Sequence, residues 1–173
     1  VKALPAFYYH LNSRQKIGLR GTFENSTIID SLYIQGKDYN KKGIGIFFDM
    51  TEPTDIDLFL YKSKLNVGYD FLATNYTGEN IKANQNQFYF FGEYNYHING
   101  NHFLNIKGEG AMMDSKIDFS ANELYRFGGW NSLRGFNENS LAADFYYYAG
   151  VEYRYLIGSQ AFFDVFGQYG QLN

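Results

Sequence analysis

Cysteine is missing from this chain and proline occurs only twice. The lack of cysteine excludes disulfides and thiolate metal sites. No run of about 18 apolar residues occurs either, which excludes a transmembrane helix. The N-terminal "VKALPAFYYH" has no apolar stretch of the kind that marks a secretory signal. Basic residues (15) do not outnumber acidic ones (18), the formal charge is -3 and the pI is near 5.6. A nucleic-acid partner would need a clustered basic face, so none is expected. No G-x-S-x-G or comparable nucleophile motif appears. The chain is therefore read as a non-enzyme with no cofactor and no metal.

What the chain has in excess is aromatic residues. Tyr and Phe number 17 each, aromatics reach 20%, and Gly numbers 18, yet the mean hydropathy is negative, at -0.39. A chain that is both ring-rich and polar on average must put the two kinds of residue on different surfaces. Strands with one apolar and one polar face do so.

The period is two almost everywhere. In "QFYFFGEYNYHI", Phe88, Phe90, Gly92, Tyr94, Tyr96 and Ile98 lie opposite Tyr89, Phe91, Glu93, Asn95 and His97. In "NHFLNIKGEGAMM", Leu104, Ile106, Gly108, Gly110 and Met112 lie opposite Phe103, Asn105, Lys107 and Glu109. The "NGN" between them supplies the left-handed backbone of a tight hairpin. "QKIGLRGTFE", "GIGIFFDM", "KLNVGYDFLAT", "FYYYAGVEYRYLIG" and "SQAFFDVFGQYG" alternate in the same way, and "ALPAFYYHL" more weakly. These make about eight strands, each near the roughly 9 to 11 residues that cross a bilayer when tilted.

A soluble sandwich also alternates, but its inner face is mainly Val, Ile and Leu. Here the apolar face is Tyr, Phe and Gly and the polar face mixes charges of both signs. That favours a transmembrane antiparallel β-barrel with aromatic girdles and a wet interior. The connections agree. Short turns ("NGN", "LIGS") alternate with long polar stretches: "STIIDSLYIQGKDYNKK", "TEPTDIDLFLYKS", "TGENIKANQN" and a segment of about 113–144. Short turns on one rim and long loops on the other are usual in such barrels.

The last of these stretches contains "GGWNSLRGF". Gly128, Gly129, Ser132, Leu133, Arg134, Gly135 and Phe136 match a G-G-x-x-S-[LVI]-R-G-[FY] segment. It resembles the signature of the BamA/TamA superfamily (the bacterial surface antigen family) of outer-membrane assembly factors. In that family the loop folds back into the barrel lumen and its arginine meets acids on the two following strands. The first of those strands reads like G-x-E-[YFW]-R, and "GVEYRYL" supplies Glu152; the second reads like F-F-x-D-x-G, and "AFFDVFGQ" supplies Asp164 with one extra residue before Gly167. By alternation both acids fall on the polar face. A guanidinium stays ionised and its planar fork can bind a carboxylate through two parallel hydrogen bonds. The resemblance therefore implies a structural latch of Arg134 with Glu152 or Asp164, not a catalytic group.

The resemblance further implies a sixteen-stranded barrel in the bacterial outer membrane, preceded by POTRA domains. Residues 1–173, with about eight strands and no POTRA-like pattern, are expected to be part of one such barrel domain and not to close into a complete barrel alone. The implied function is insertion of β-barrel proteins by strand pairing, with outer-membrane lipid and client barrels as partners and accessory lipoproteins as candidates. A translocating or passive pore, such as a two-partner secretion transporter, or the barrel of a patatin-like fusion are the alternatives.

Other features carry less. His10, His97 and His102 share no metal-like spacing. Asp49, Glu52, Asp55 and Asp57 lack the glycine and spacing of a calcium loop and read as an acidic loop. Trp130 could plug the lumen or sit at its rim.

Overall fold

β-branched and aromatic residues alternating with polar ones dictate strands, and strands are what form. The computed structural model describes residues 1–28, 36–56, 59, 61–79, 81–158 and 161–173, and all regular structure among them is β. In chain order the strands are β1 (Lys2–Ala3), β2 (Ala6–His10), β3 (Gln15–Ser26), β4 (Tyr39–Glu52), β5 (Ser63–Tyr76), β6 (Ile81–Asn99), β7 (His102–Ser115), β8 (Tyr125–Phe127), β9 (Leu141–Ala143), β10 (Phe145–Leu156) and β11 (Phe162–Leu172).

All but β8 and β9 form one sheet in the order β1-β3-β4-β5-β6-β7-β10-β11, with β2 also on β3. Each neighbouring pair is antiparallel. β1 and β2 lie along the same edge of β3, broken at Leu4–Pro5, so they act as one interrupted strand. The sheet thus has eight strands in effect, and its path is open: β11 and the β1/β2 edge are not hydrogen-bonded to each other.

Cross-strand register keeps like faces together over the whole sheet. One face is bare: Leu19 is 65% exposed, Ile44 71% and Phe71 58%. The other is polar, yet it is the buried one, holding Thr22, Lys41, Asp70, Gln85, Asn105 and Glu152. Chain segments fold across this covered face. Register also fixes its charge pairs. Arg20 stands opposite Gly45, which stands opposite Asp70. With no side chain on Gly45, the Arg20 guanidinium reaches across to both Asp70 oxygens and to the Tyr89 hydroxyl; a Cβ on Gly45 would fall on the Asp70 carboxylate.

Three sequence expectations need correction. "TGENIKANQN" is mostly strand: β6 begins at Ile81 and pairs with β5 up to Tyr76, leaving Thr77–Asn80 as the connection. Its polar residues hid the period because exposed Lys82 and Asn84 alternate with buried Ala83 and Gln85, only one of which is apolar. Likewise β4 begins at Tyr39, inside the stretch expected to be loop, and β7 continues to Ser115, so the long loop spans 116–144 rather than 113–144. Finally, long and short connections are not segregated. The rim that carries 27–38 and 116–144 also carries the short β5–β6 turn, while the rim with the "NGN" turn also carries 53–62. In that turn only Gly100 has a left-handed φ, of 48°, as in the mirror-image turns that need a glycine at the first central position. The "LIGS" turn lies partly outside the described residues.

Candidate functional site

The 116–144 loop lies along the covered face and carries its own small hairpin, β8 against β9. Phe127 stacks on Tyr146 with centroids 4.1 Å apart and planes 13° from parallel. Ala143, Tyr148 and Ala111 complete this apolar cluster, with Leu133 packed against it. Beyond Phe127 the chain must reverse twice within a few residues. Gly128 and Gly129 supply φ of 105° and 102°, which L side chains avoid, and a Cβ on Gly129 would collide with the Glu138 carboxylate. The Ser132 hydroxyl closes the turn by accepting the Gly128 N–H at 2.7 Å. Gly135, with φ of 95°, turns the chain again after the arginine, and Phe136 is half-exposed beyond it.

This turn presents Arg134. Its backbone N–H donates to Gln168 Oε1 at 2.8 Å, and Gln168 Nε2 donates back to the Ser132 carbonyl at 3.1 Å. The guanidinium then reaches both acids: Nη2 to Glu152 Oε2 at 2.7 Å and Nη1 to Asp164 Oδ2 at 3.0 Å. The sequence allowed a two-toothed grip on one carboxylate. The structure instead divides the fork between two, because Glu152 on β10 and Asp164 on β11 both point into the covered face. Trp130 and Phe166 lie over the guanidinium, their centroids 4.4 Å and 4.2 Å from Cζ. Trp130 thus caps the arginine.

Residues that sequence reasoning did not single out complete the arrangement. Arg154, two positions after Glu152 and on the same face, donates through Nε to Glu152 Oε1 and through Nη1 to Asn95 at 3.0 Å. Glu152 therefore holds two guanidiniums. Arg154 in turn lies over the rings of Phe59 and Phe162. Phe59 belongs to the 53–62 segment, which folds onto the covered face from the opposite rim. Tyr61 in that segment donates to Glu93 at 2.8 Å and accepts Asn95 on its carbonyl; burial and the Glu93 bond push its hydroxyl pKa up. The acidic cluster read in the same region is used internally. Asp49 pairs with Lys16, and Glu52 with Arg14 and Lys62, while Asp57 lies outside the described residues.

The second unanticipated group lies at the other end of the long loop. Glu123, with its side chain fully buried, pairs with Lys41 of β4 at 3.1 Å. It also accepts the Tyr76 hydroxyl at 2.6 Å, Gln85 at 3.0 Å and the Ser120 N–H at 3.0 Å. Burial alone would raise its pKa; the bonds from Tyr76, Gln85 and Ser120 and the Lys41 charge outweigh burial and hold the carboxyl below its ordinary value. Its neighbour Asn122 donates to Ser26 of β3 and to the Lys37 carbonyl.

Between the two folded segments lies a cleft of about 480 Å³, lined by Tyr61, Lys64, Glu93, Lys107, Trp130 and Arg134 among others. Its walls carry charges of both signs and aromatic rings. The histidines lie apart from it. His97 bonds the Gly100 carbonyl and stacks on Phe103, His102 meets the Tyr153 hydroxyl, and His10 packs edge-on to Tyr8. Among the described residues no group of three or more His, Asp or Glu is placed to hold a metal ion. The arrangement can fix a loop to a sheet. Compared with family models, curated proteins and solved structures, the chain matches none.

Proposed function

We propose that this sheet is part of the wall of an outer-membrane β-barrel of the BamA/TamA kind, whose protein inserts client β-barrels by strand pairing without covalent chemistry. The observation that carries the reading is Arg134, delivered by a Gly-rich turn onto Glu152 and Asp164 of the two strands that follow. That is the contact the motif resemblance implies. The faces are consistent with it: an exposed apolar surface suited to lipid, and a polar surface under folded-in loops. Strands of 11 to 19 residues from β3 to β11, apart from the loop hairpin, are long enough to cross a bilayer. In this reading Arg134 keeps the loop seated so that the wall holds its shape while a client strand pairs with an exposed sheet edge, as in β-augmentation.

The test is client insertion by the protein carrying this wall, reconstituted in lipid vesicles, with Arg134→Ala compared with the parent. Slower insertion by a folded variant is expected. Insertion at the parent rate would overturn the reading, and a steady ion conductance with no client insertion would favour the pore instead.

A further inference from the structure

The 116–144 loop touches the sheet far from Arg134 as well as beside it. Among the described residues, Arg134 hydrogen-bonds the sheet at β10 and β11. Glu123, eleven residues earlier in the loop (134 − 123 = 11), engages Lys41 of β4, Tyr76 of β5 and Gln85 of β6. Asn122 extends the contact to Ser26 of β3. These receptors are prepared for a carboxylate. Gln85 is 1% exposed and Tyr76 1% exposed, Thr74 donates to the Gln85 carbonyl oxygen, and the Gln85 amide is thereby turned toward Glu123 and the Tyr76 hydroxyl. Beneath the loop, Ile117 packs on the cluster of Tyr39, Tyr76 and Ala83.

We infer that Glu123 is a second positioning residue for the loop. It anchors the 116–125 end to β4–β6 independently of Arg134, so that the loop spans the covered face as a brace between the two halves of the sheet. This rests on the proposed function only in its account of what the brace serves; the anchoring itself follows from the contacts. Two properties make the anchor separate. Its partners share no residue with the Arg134 cluster, and groups without shared partners contribute independently when well separated. It is also completed by neutral donors and one lysine, all from the sheet or from its own turn, so nothing in it depends on the Gly128–Phe136 segment. Once Glu123 is removed, Lys41 loses its direct ion pair and keeps only the cross-strand charge of Glu24, while the Tyr76, Gln85 and Ser120 donors lose their acceptor, and the loop end can rise to let water reach them.

The absence of cysteine from the chain makes the test clean. Two reporters sit on the sheet beneath the loop: Ala83→Cys under the Glu123 end and Ala111→Cys under the Phe127–Arg134 end, at positions 8% and 5% exposed. Their labelling by a water-soluble maleimide is followed in the whole protein carrying this wall, folded in detergent micelles with any cysteine outside residues 1–173 replaced by serine, with circular dichroism as the check on fold. Glu123→Ala should speed labelling of the Ala83→Cys reporter by roughly tenfold or more while the Ala111→Cys reporter stays slow. Arg134→Ala should leave the Ala83→Cys reporter protected. Unchanged labelling after Glu123→Ala would overturn the inference, as would exposure of the Ala83→Cys reporter by Arg134→Ala. A variant that loses its sheet signal is replaced by Glu123→Gln, for which the same two outcomes apply. No client enters the assay, so its result stands apart from that of the insertion test.

Discussion

The two ends of the long loop are held by opposite charges and by different means. At the Arg134 end a cation is carried to the sheet on a turn of three left-handed glycines and meets carboxylates whose side chains are 8% and 24% exposed. At the Glu123 end an anion is received into a socket already lined by strand residues, with the acid 0% and the lysine 4% exposed. The difference teaches where stability and sequence signal reside. A guanidinium is long and weakly hydrated, so it tolerates a half-open site and shares its fork between two acids. A short carboxylate must be fully enclosed by donors to be buried at all. The conspicuous end of the loop is therefore the less enclosed one.

The largest effect that could break this comparison is on stability. Glu123→Ala takes the direct ion pair from Lys41 in a closed site, and removing one member of a buried pair costs about 3–5 kcal/mol. Arg134→Ala should cost less, about 1.5–3 kcal/mol, since Glu152 keeps Arg154 and Asp164 is nearer water. Urea unfolding of both variants in the same detergent checks the order, and a larger loss at Arg134 would reverse the ranking of the two ends.

The same contrast explains what could be read from the chain. The Arg134 end was legible through the motif resemblance, whose glycines sit where the backbone reverses, and alternation agrees by putting Glu152 and Asp164 on the polar face. The Glu123 end left no such trace. Lys41, Tyr76 and Gln85 come from three strands, and each is an ordinary inward residue of its own strand. Only the fold makes them one site. Arg154 could have been found, since it stands in step with Glu152, but nothing in a single strand shows that Asn95 and Phe59 will meet it. Strand boundaries failed for a related reason. At the start of β6 the loop-facing side mixes Ala83 with Gln85 and Gln87, and the other side carries Lys82, Asn84 and Asn86, so the contrast on which period two depends is weak there.

Acidification should sharpen the comparison further. The fold holds the Glu123 carboxyl below its ordinary value, so its contribution is complete above the unfolded carboxylate value and fades as pH falls through the folded one. Hydrogen exchange of the 116–125 amides, corrected for the intrinsic rate, should therefore accelerate on going from neutral to acid pH, and Glu123→Gln should remove that dependence. The smallest expected effect is at Trp130, which caps Arg134 from the solvent side. Trp130→Leu should cost about 0.5–1 kcal/mol, measured by the same urea titration. A much larger loss would mean that the ring, and not the acids, seats the arginine.

At Leu4–Pro5 the pairing along β3 pauses: the Pro5 carbonyl accepts the Gly21 N–H, but proline has no N–H to return to the Gly21 carbonyl. That missing bond lies on the β3 side, so this border grips the sheet in two short pieces, before and after the imino ring. Such a punctuated margin leaves β2, five residues long, able to release and re-form its bonds cheaply.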